Sequence, residues 1–450
     1  MAIKKVSTIL APASRVYAWH ASEGAFERLC PPWENVHIVD SSGGFDDRRV
    51  VFQVTRWGVP FRWVAEHRDV VPGESFTDVQ IKGPFSKWRH RHDFIALSEN
   101  RTKLVDTVHY KLPGHALSKW VAGWSVKRDI EALLAYRHAI TYGDLALIQE
   151  SPLAHQVIAV SGASGMVGRA LVPLLRAAGH TVKLLVRKSR PDWSYELCWD
   201  PEVGILDDFS DVTAIIHLAG EPIASPIRWD TIKKNTIYRS RVRSTQALVN
   251  QLANRSHNVR TFIAASGIGI YPNSVGMMVE TSPPGDRFLA KVVSDWERVC
   301  DPIRDTVRVV HARFGIILHP SGGMLKRLNP LMQMGVLGRV GSGRHYISWV
   351  ALDDAIRALY FCLANTPIVG PINIVGPYPQ TQLSWVQEWA KAVGRPAFLP
   401  LPELVVKSVM GEMGEELLLQ SQRVSADLLK NHGFSFQCDT MADVCALYNL

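Results

Sequence analysis

The run Val157-Ile-Ala-Val-Ser-Gly-Ala-Ser-Gly-Met-Val-Gly168 constrains the fold of this 450-residue chain more than any other feature. Its first four residues are wholly apolar, the pattern of a short strand buried on both faces of a parallel sheet. Gly162, Gly165 and Gly168 then lead into Leu171, Leu174 and Leu175, apolar residues at helical spacing that stop before Gly179. Thr181-Val-Lys-Leu-Leu-Val186 reads as a second strand. Strand, glycine turn, helix and strand within about 30 residues make a βαβ unit, whose crossover puts both strands in one parallel sheet. The expected class is an α/β Rossmann-type, doubly wound parallel sheet.

The turn also carries chemistry. Glycines there allow a tight bend and close backbone approach to a pyrophosphate, and the helix start offers free N–H groups and the positive end of its dipole. Gly162, Ala163, Ser164, Gly165, Met166, Val167 and Gly168 are therefore expected to cradle a dinucleotide. A glycine turn that merely connects elements is the plainer alternative, but the strand and helix on either side favour the cradle. After the second strand a site for NAD places Asp or Glu on the ribose. This chain has Val186-Arg-Lys-Ser-Arg190, with no carboxylate before Asp192. Arg187 and Lys188 suit a 2′-phosphate, so NADP is expected in preference to NAD. If those cations form only a solvated loop, the choice stays open.

Two further apolar strands point the same way. Ala214-Ile-Ile-His217 ends in Leu218-Ala219-Gly220, small residues that admit a cofactor closely. Thr261-Phe-Ile-Ala-Ala265 ends at Ser266, with Tyr271 five residues later. Ligands of open parallel sheets collect at the carboxyl ends of the strands. Ala265 is thus assigned to the cofactor and Ser266 to the substrate, whose carbonyl it would polarise, although a Ser that caps the next turn reads alike.

Residues 1 to about 150 follow a different grammar. Val50–Trp57, Phe61–Glu66 and Leu104–Tyr110 are rich in β-branched and aromatic residues, and turn signals separate them. The segment is expected to have helical ends, the second from about Ala116 to Leu147 with Val121, Trp124, Ile130, Leu133, Leu134 and Arg137 on one face. A sheet gripping a long helix would leave an apolar cavity. Trp88, His90, His92 and Phe94 share one strand face. Packed or hydrogen-bonded histidines are the plain reading, a ligand-contacting pair the sharper one. No third residue at diagnostic spacing supports a metal, and none is expected.

Composition sets the outer limits. Apolar residues at 47% and charged residues at 20% exclude disordered and low-complexity classes, and the length implies two or three domains. The net charge of +8 is spread without a basic block, so no nucleic-acid partner is expected. No run is long and apolar enough to span a bilayer, and the N-terminus lacks a signal-peptide core. Six scattered cysteines without a CxxC pair read as reduced thiols of a cytoplasmic protein.

With these residues in place, two resemblances emerge. Gly83–Phe94, Leu104–Pro113 and Ala135-Tyr-Arg-His138 resemble the START-like, polyketide-cyclase-type helix-grip superfamily, which implies an α+β domain binding a hydrophobic ligand. Ser161–Gly168, His217–Ala224, Ser240-Arg241, Ala265–Tyr271, Asp295-Trp-Glu297, Arg313–Leu318 and Gly341–Trp349 are similar to the epimerase-like branch of the extended short-chain dehydrogenase/reductases. Gly411–Leu419 and Gly433–Phe436 resemble that branch's small C-terminal domain. The implied divisions are 1–152, 155–392 and 393–450.

One part of the superfamily's machinery is missing. Its mechanism uses a Tyr to exchange a proton, with a Lys four residues later lowering the Tyr pKa and holding the ribose. None of the 11 tyrosines has Lys at that spacing. Ser266, Tyr271 and Lys291 remain as catalytic candidates, Tyr271 as substitute proton donor and Lys291 as ribose contact. The expectation is an NADP(H)-binding oxidoreductase or epimerase acting on a small molecule, with a homodimer implied by analogy. The alternative is a dinucleotide sensor without turnover.

Overall fold

The computed structural model describes residues 1–56, 59–113, 116–188, 194–224 and 227–450. Trp57, Arg190, Asp192 and the side chain of Val121 lie outside the described part. The chain folds as two compact units, Met1–Pro152 with two short later pieces, and Leu153–Leu175 joined with His180–Ala446 and Leu450.

The first unit is built on a seven-stranded antiparallel sheet. Its order is Ala2–Ile9, Arg101–Lys111, Lys87–Ser98, Ser75–Lys82, Val59–Val71, Arg49–Arg56 and Asn35–Ser42. The helix Ala116–Glu150 buries Ile130, Leu134 and Ile140. Ile130 and Leu134 pack with Ile3, Trp88, Val108 and Tyr110 in one cluster. Arg28 and Asp144 lock a short helix to the long one through two hydrogen bonds of 2.7 and 2.9 Å, fully buried. The helix-grip expectation is met.

Two details of that reading need correction. The N-terminal end begins as a strand, Ala2–Ile9, paired with Arg101–Lys111. Its alternation is hidden in the sequence because Ser7, on the inward face with Ile3 and Ile9, is polar. Ser7 faces inward to meet His138 Nδ1 at 2.8 Å. Trp124 is 70% exposed instead of buried. At 100° per residue it stands about 120° around the helix from Ile130, outside the apolar stripe, where Arg128 lies over its ring at 5.1 Å.

In the second unit eight strands form one sheet. The order is Ile205–Leu206, Glu196–Asp200, Thr181–Val186, Val157–Ser161, Ala214–His217, Thr261–Gly267, Arg308–Phe314 and Gly370–Ile374. All neighbours pair in parallel except the first two. The strand order reverses direction next to Val157–Ser161, the crevice where such sheets hold ligands. One face of the sheet is sealed by Ala159, Ile215, Phe262 and Val309 against Leu248, Val249, Cys300 and Ile303, all buried. Residues 393–450 belong for the most part to this unit, and Gln422–Val424 pairs with Ser274–Met278.

Candidate active site

The glycine turn is set by contact as much as by conformation. Gly162 takes φ +68°, and a Cβ there would stand 2.8 Å from Ala219 N and the Leu218 carbonyl. Gly168 has an ordinary φ, but its Cβ would fall 2.4 Å from Gly162 O and 2.6 Å from Ala163 Cα. The turn thus packs backbone on backbone, and Gly165 N closes it on Gly162 O at 2.9 Å. The helix Met166–Ala177 begins directly after, so its first N–H groups point at the crevice.

Ser161 and His217 brace the turn from below. Ser161 Oγ accepts from Leu218 N at 3.1 Å and Ala219 N at 3.3 Å, and contacts His217 Nδ1 at 2.7 Å. With both acceptor positions used, the hydroxyl proton goes to Nδ1, so His217 is neutral and carries its own proton on Nε2. Burial agrees, pushing His217 down to about 3. A buried neutral His stabilises the fold fully above the unfolded value of about 6.5, and that stability is lost as pH falls from there toward 3. We expect His217→Asn to lessen the fall in stability between pH 6.5 and 4 by about one proton's linkage, in denaturant midpoints measured across that range.

Above the turn lies a cavity of about 490 Å³. Gly162, Gly165, Met166, Val167, Gly168, Leu218, Ala219, Gly220, Ala265 and Ser266 line it, so ten of the residues expected from sequence meet in one place. Ala163 and Ser164 lie in the turn but off the cavity lining. Arg187 and Lys188 are exposed immediately after the strand Thr181–Val186 and do not line it.

Two catalytic candidates are displaced. Tyr271 is fully buried, its hydroxyl donating to Asn373 Oδ1 at 2.7 Å and accepting from Arg313 Nη1 at 3.0 Å. Burial also raises its pKa. Lys291 is exposed on the helix Phe288–Arg298. Neither lines the cavity. The proton-donor and ribose roles expected of them do not fit this geometry, because one hydroxyl is consumed by core partners and one ammonium points to water.

Ser266 does line the cavity, but in a different role from the one expected. Its Oγ lies 2.6 Å from Glu297 Oε1, and Arg313 clamps Glu297 with bonds of 2.8 and 2.7 Å. Burial pushes Glu297 up, but the Arg313 bonds and charge outweigh it and hold the carboxyl below its ordinary range. An ionised carboxylate only accepts, so Ser266 must donate to it. Ser266 therefore shows the cavity lone pairs, suited to accept from a substrate hydroxyl and not to polarise a carbonyl.

Several lining residues stand out in the sequence only as members of family motifs. Arg241, visible there only within a motif, presents a half-buried guanidinium beside Gly220 and over the Trp296 ring at 5.4 Å. Burial lowers it to about 10. His345, Tyr346 and Glu416 also line the cavity. Glu416 caps the helix Phe288–Arg298 by accepting from Phe288 N and Leu289 N at 3.1 and 3.0 Å. A cap 128 residues distant leaves no local signal, unlike the usual neighbouring Ser, Thr or Asp.

Residues 158–296 match the NAD dependent epimerase/dehydratase family, 9–135 the family described as polyketide cyclase / dehydrase and lipid transport, and 401–446 a domain of unknown function, DUF1731. An epimerase family protein of Mycobacterium bovis is 40% identical over 295 residues, 65% of this chain and 97% of its own. The chain belongs to the epimerase family. It carries a polyketide-cyclase-type domain ahead of its short-chain dehydrogenase/reductase fold, as the two resemblances implied. A nucleoside-diphosphate sugar epimerase from Corynebacterium glutamicum is similar, with 28% identity, a TM-score of 0.80 and coverage of 99% of this chain and 90% of that one. The human epimerase family protein SDR39U1, solved with NADPH, is 29% identical with a TM-score of 0.60, covering 65% of this chain and 98% of its own. The family's dinucleotide suits this site, since the turn has no room for a Cβ at Gly162 or Gly168 and turns its backbone toward the crevice.

The first unit holds a second cavity of about 510 Å³. Phe26, Phe52, Trp63, Phe85, Trp88 and Ile130 line much of it, and His20, His67, Asp78, His90 and His92 form a polar region. Among the described residues no helix is long and apolar enough to cross a membrane.

Proposed function

We propose that this epimerase-family chain binds NADP(H) and serves as an oxidoreductase or epimerase on a small molecule, with an apolar ligand held in the N-terminal cavity. The observation that carries the cofactor reading is the glycine turn closed on Leu218–Ala219, with Arg187 and Lys188 just past the adjoining strand. Gly162 through Gly168 would hold the pyrophosphate, Arg187 and Lys188 the 2′-phosphate, and Leu218, Ala219, Gly220 and Ala265 the adenosine and ribose side. When bound, the dinucleotide supplies hydride exchange. Ser266 would accept a hydrogen bond from a substrate hydroxyl while its own proton stays turned toward Glu297. The NADPH bound to the human relative supports the same choice of cofactor. Six free thiols fit a reducing compartment, and we place the protein in the cytoplasm.

Fluorescence titration tests the cofactor reading. NADPH should bind at least about tenfold more tightly than NADH, because charge-assisted bonds to the phosphate contribute on the order of 1.5–3 kcal/mol. Arg187→Ala with Lys188→Ala should erase that preference and leave NADH affinity unchanged. Equal affinities in the wild type would overturn the assignment.

A non-catalytic sensor is the second reading. It is favoured by the displacement of Tyr271 and Lys291 from the cavity lining. Incubating the protein with NADPH and a panel of carbonyl compounds separates the two, since a sensor binds the cofactor and never oxidises it.

A further inference from the structure

The polar region of the N-terminal cavity contains a ligand set that sequence spacing does not reveal. One donor atom from each of Asp78, His90 and His92 falls within 4.8 Å of the other two. Asp78 comes from the strand beside that of the histidines and is paired with His90 in register. His92 stands two residues beyond His90 on the same strand face, which places the carboxylate and both imidazoles over one patch of sheet.

The spacings lie within a few tenths of an ångström of those an ion would set. Ligands about 2.0–2.2 Å from a tetrahedral zinc ion lie about 3.3–3.6 Å apart. His92 Nε2 is 3.1 Å from Asp78 Oδ2, and His67 Nε2 is 3.2 Å from Asp78 Oδ1. His90 is 2% exposed, yet its Nε2 has no hydrogen-bond partner; Asp106 Oδ1 lies 3.5 Å away, outside hydrogen-bonding geometry. A buried polar nitrogen left without a partner is costly, and a ligand in the cavity would remove that cost.

The outer partners are those a metal site uses. His92 Nδ1 lies 2.7 Å from Asp106 Oδ1, paired by charge and not by hydrogen-bond alignment, and His138 Nε2 hydrogen-bonds the other oxygen of Asp106 at 3.1 Å. A carboxylate behind a ligating imidazole orients the ring and raises its basicity. His67 Nδ1 lies 2.7 Å from Phe45 O, and a carbonyl only accepts, so this nitrogen carries a proton. His67 Nε2 then faces the Asp78 carboxylate, and a cation must sit between them, either a proton or a metal.

The geometry points to a divalent transition-metal site of the zinc class at Asp78, His90 and His92, with His67 beside the Asp78 carboxylate. Three protein ligands beside a cavity leave a coordination position for an oxygen of a small molecule, the arrangement of zinc sites that act on substrates. Every residue involved lies in the first unit, so the site stands or falls separately from the dinucleotide turn of the second.

Cobalt(II) serves as the probe, since tetrahedral coordination gives it an intense visible absorption that the hydrated ion lacks. The full chain, freed of metal by a chelator, is titrated with Co²⁺. One equivalent should develop the band, and Zn²⁺ should abolish it by displacement. His90→Ala and Asp78→Asn should each weaken Co²⁺ binding at least about tenfold, the lower end of what even outer partners contribute. Should either variant fail to fold, X-ray absorption of the wild-type cobalt form decides, with imidazole and oxygen ligands expected. A wild-type protein with no saturable band, a His90→Ala variant that titrates like wild type, or sulfur ligation would each overturn the site and leave a proton-linked histidine–aspartate network.

Discussion

Gly168→Ala should weaken dinucleotide binding at least about 30-fold and lower the stability of the second unit. The added methyl would stand 2.4 Å from Gly162 O and 2.6 Å from Ala163 Cα, both backbone atoms with no rotamer to yield. Either the helix Met166–Ala177 retreats or the turn opens, and each separates the N–H groups from the strand they must sit above. Overpacking of this kind costs about 1–3 kcal/mol in stability. A loss of at least about 2 kcal/mol in binding, roughly 30-fold, is expected from the displaced backbone. NADPH titration and the denaturant midpoint measure the two parts. Gly165→Ala is the comparison: its methyl would meet Gly162 O at 3.2 Å, and it should destabilise less. A Gly168→Ala protein that binds NADPH like wild type would remove the turn from the cofactor site.

Arg313→Met should cost the second unit about 3–5 kcal/mol, the range for removing one partner of a buried ion pair. The pair is well enclosed, with Arg313 at 6% and Glu297 at 12% side-chain exposure. Arg313 also donates to the Tyr271 hydroxyl and to Glu280 O, so its loss strands these acceptors together with the carboxylate. Glu297→Gln combined with Arg313→Met should recover part of the loss, because no uncompensated charge remains. Chemical unfolding of the single and double variants checks this. The pair also governs the chemistry, since Arg313 keeps Glu297 ionised and so keeps the Ser266 proton turned away from the cavity. A double variant should free that proton. If Arg313→Met unfolds at the wild-type midpoint, the pair contributes nothing and the orientation assigned to Ser266 loses its anchor.

The parts legible in sequence share a physical trait. Val157–Val160, the glycine turn and Leu171–Leu175 are local, and their period and turn chemistry write the βαβ unit directly. The small residues Ala219 and Gly220 are legible for a related reason, as a strand end that borders the cavity. Ser266 is placed correctly at the cavity by its strand end, yet its role is hidden because Glu297, 31 residues on, holds its proton. Tyr271 is near in sequence and wrong in space. Five residues past Ser266 its side chain turns into the core toward Asn373, 102 residues away.

Sequence by itself determined the two fold classes and the position of the glycine turn, since each rests on residues within a few positions of one another. Tertiary structure alone decided which groups face a cavity. It joined Asp78 to His90 and His92, set Glu416 on a helix 128 residues away and put Arg241 beside Gly220. Such convergence leaves no period or spacing behind, because a side chain's partners across a sheet or crevice depend on register and packing and not on distance along the chain.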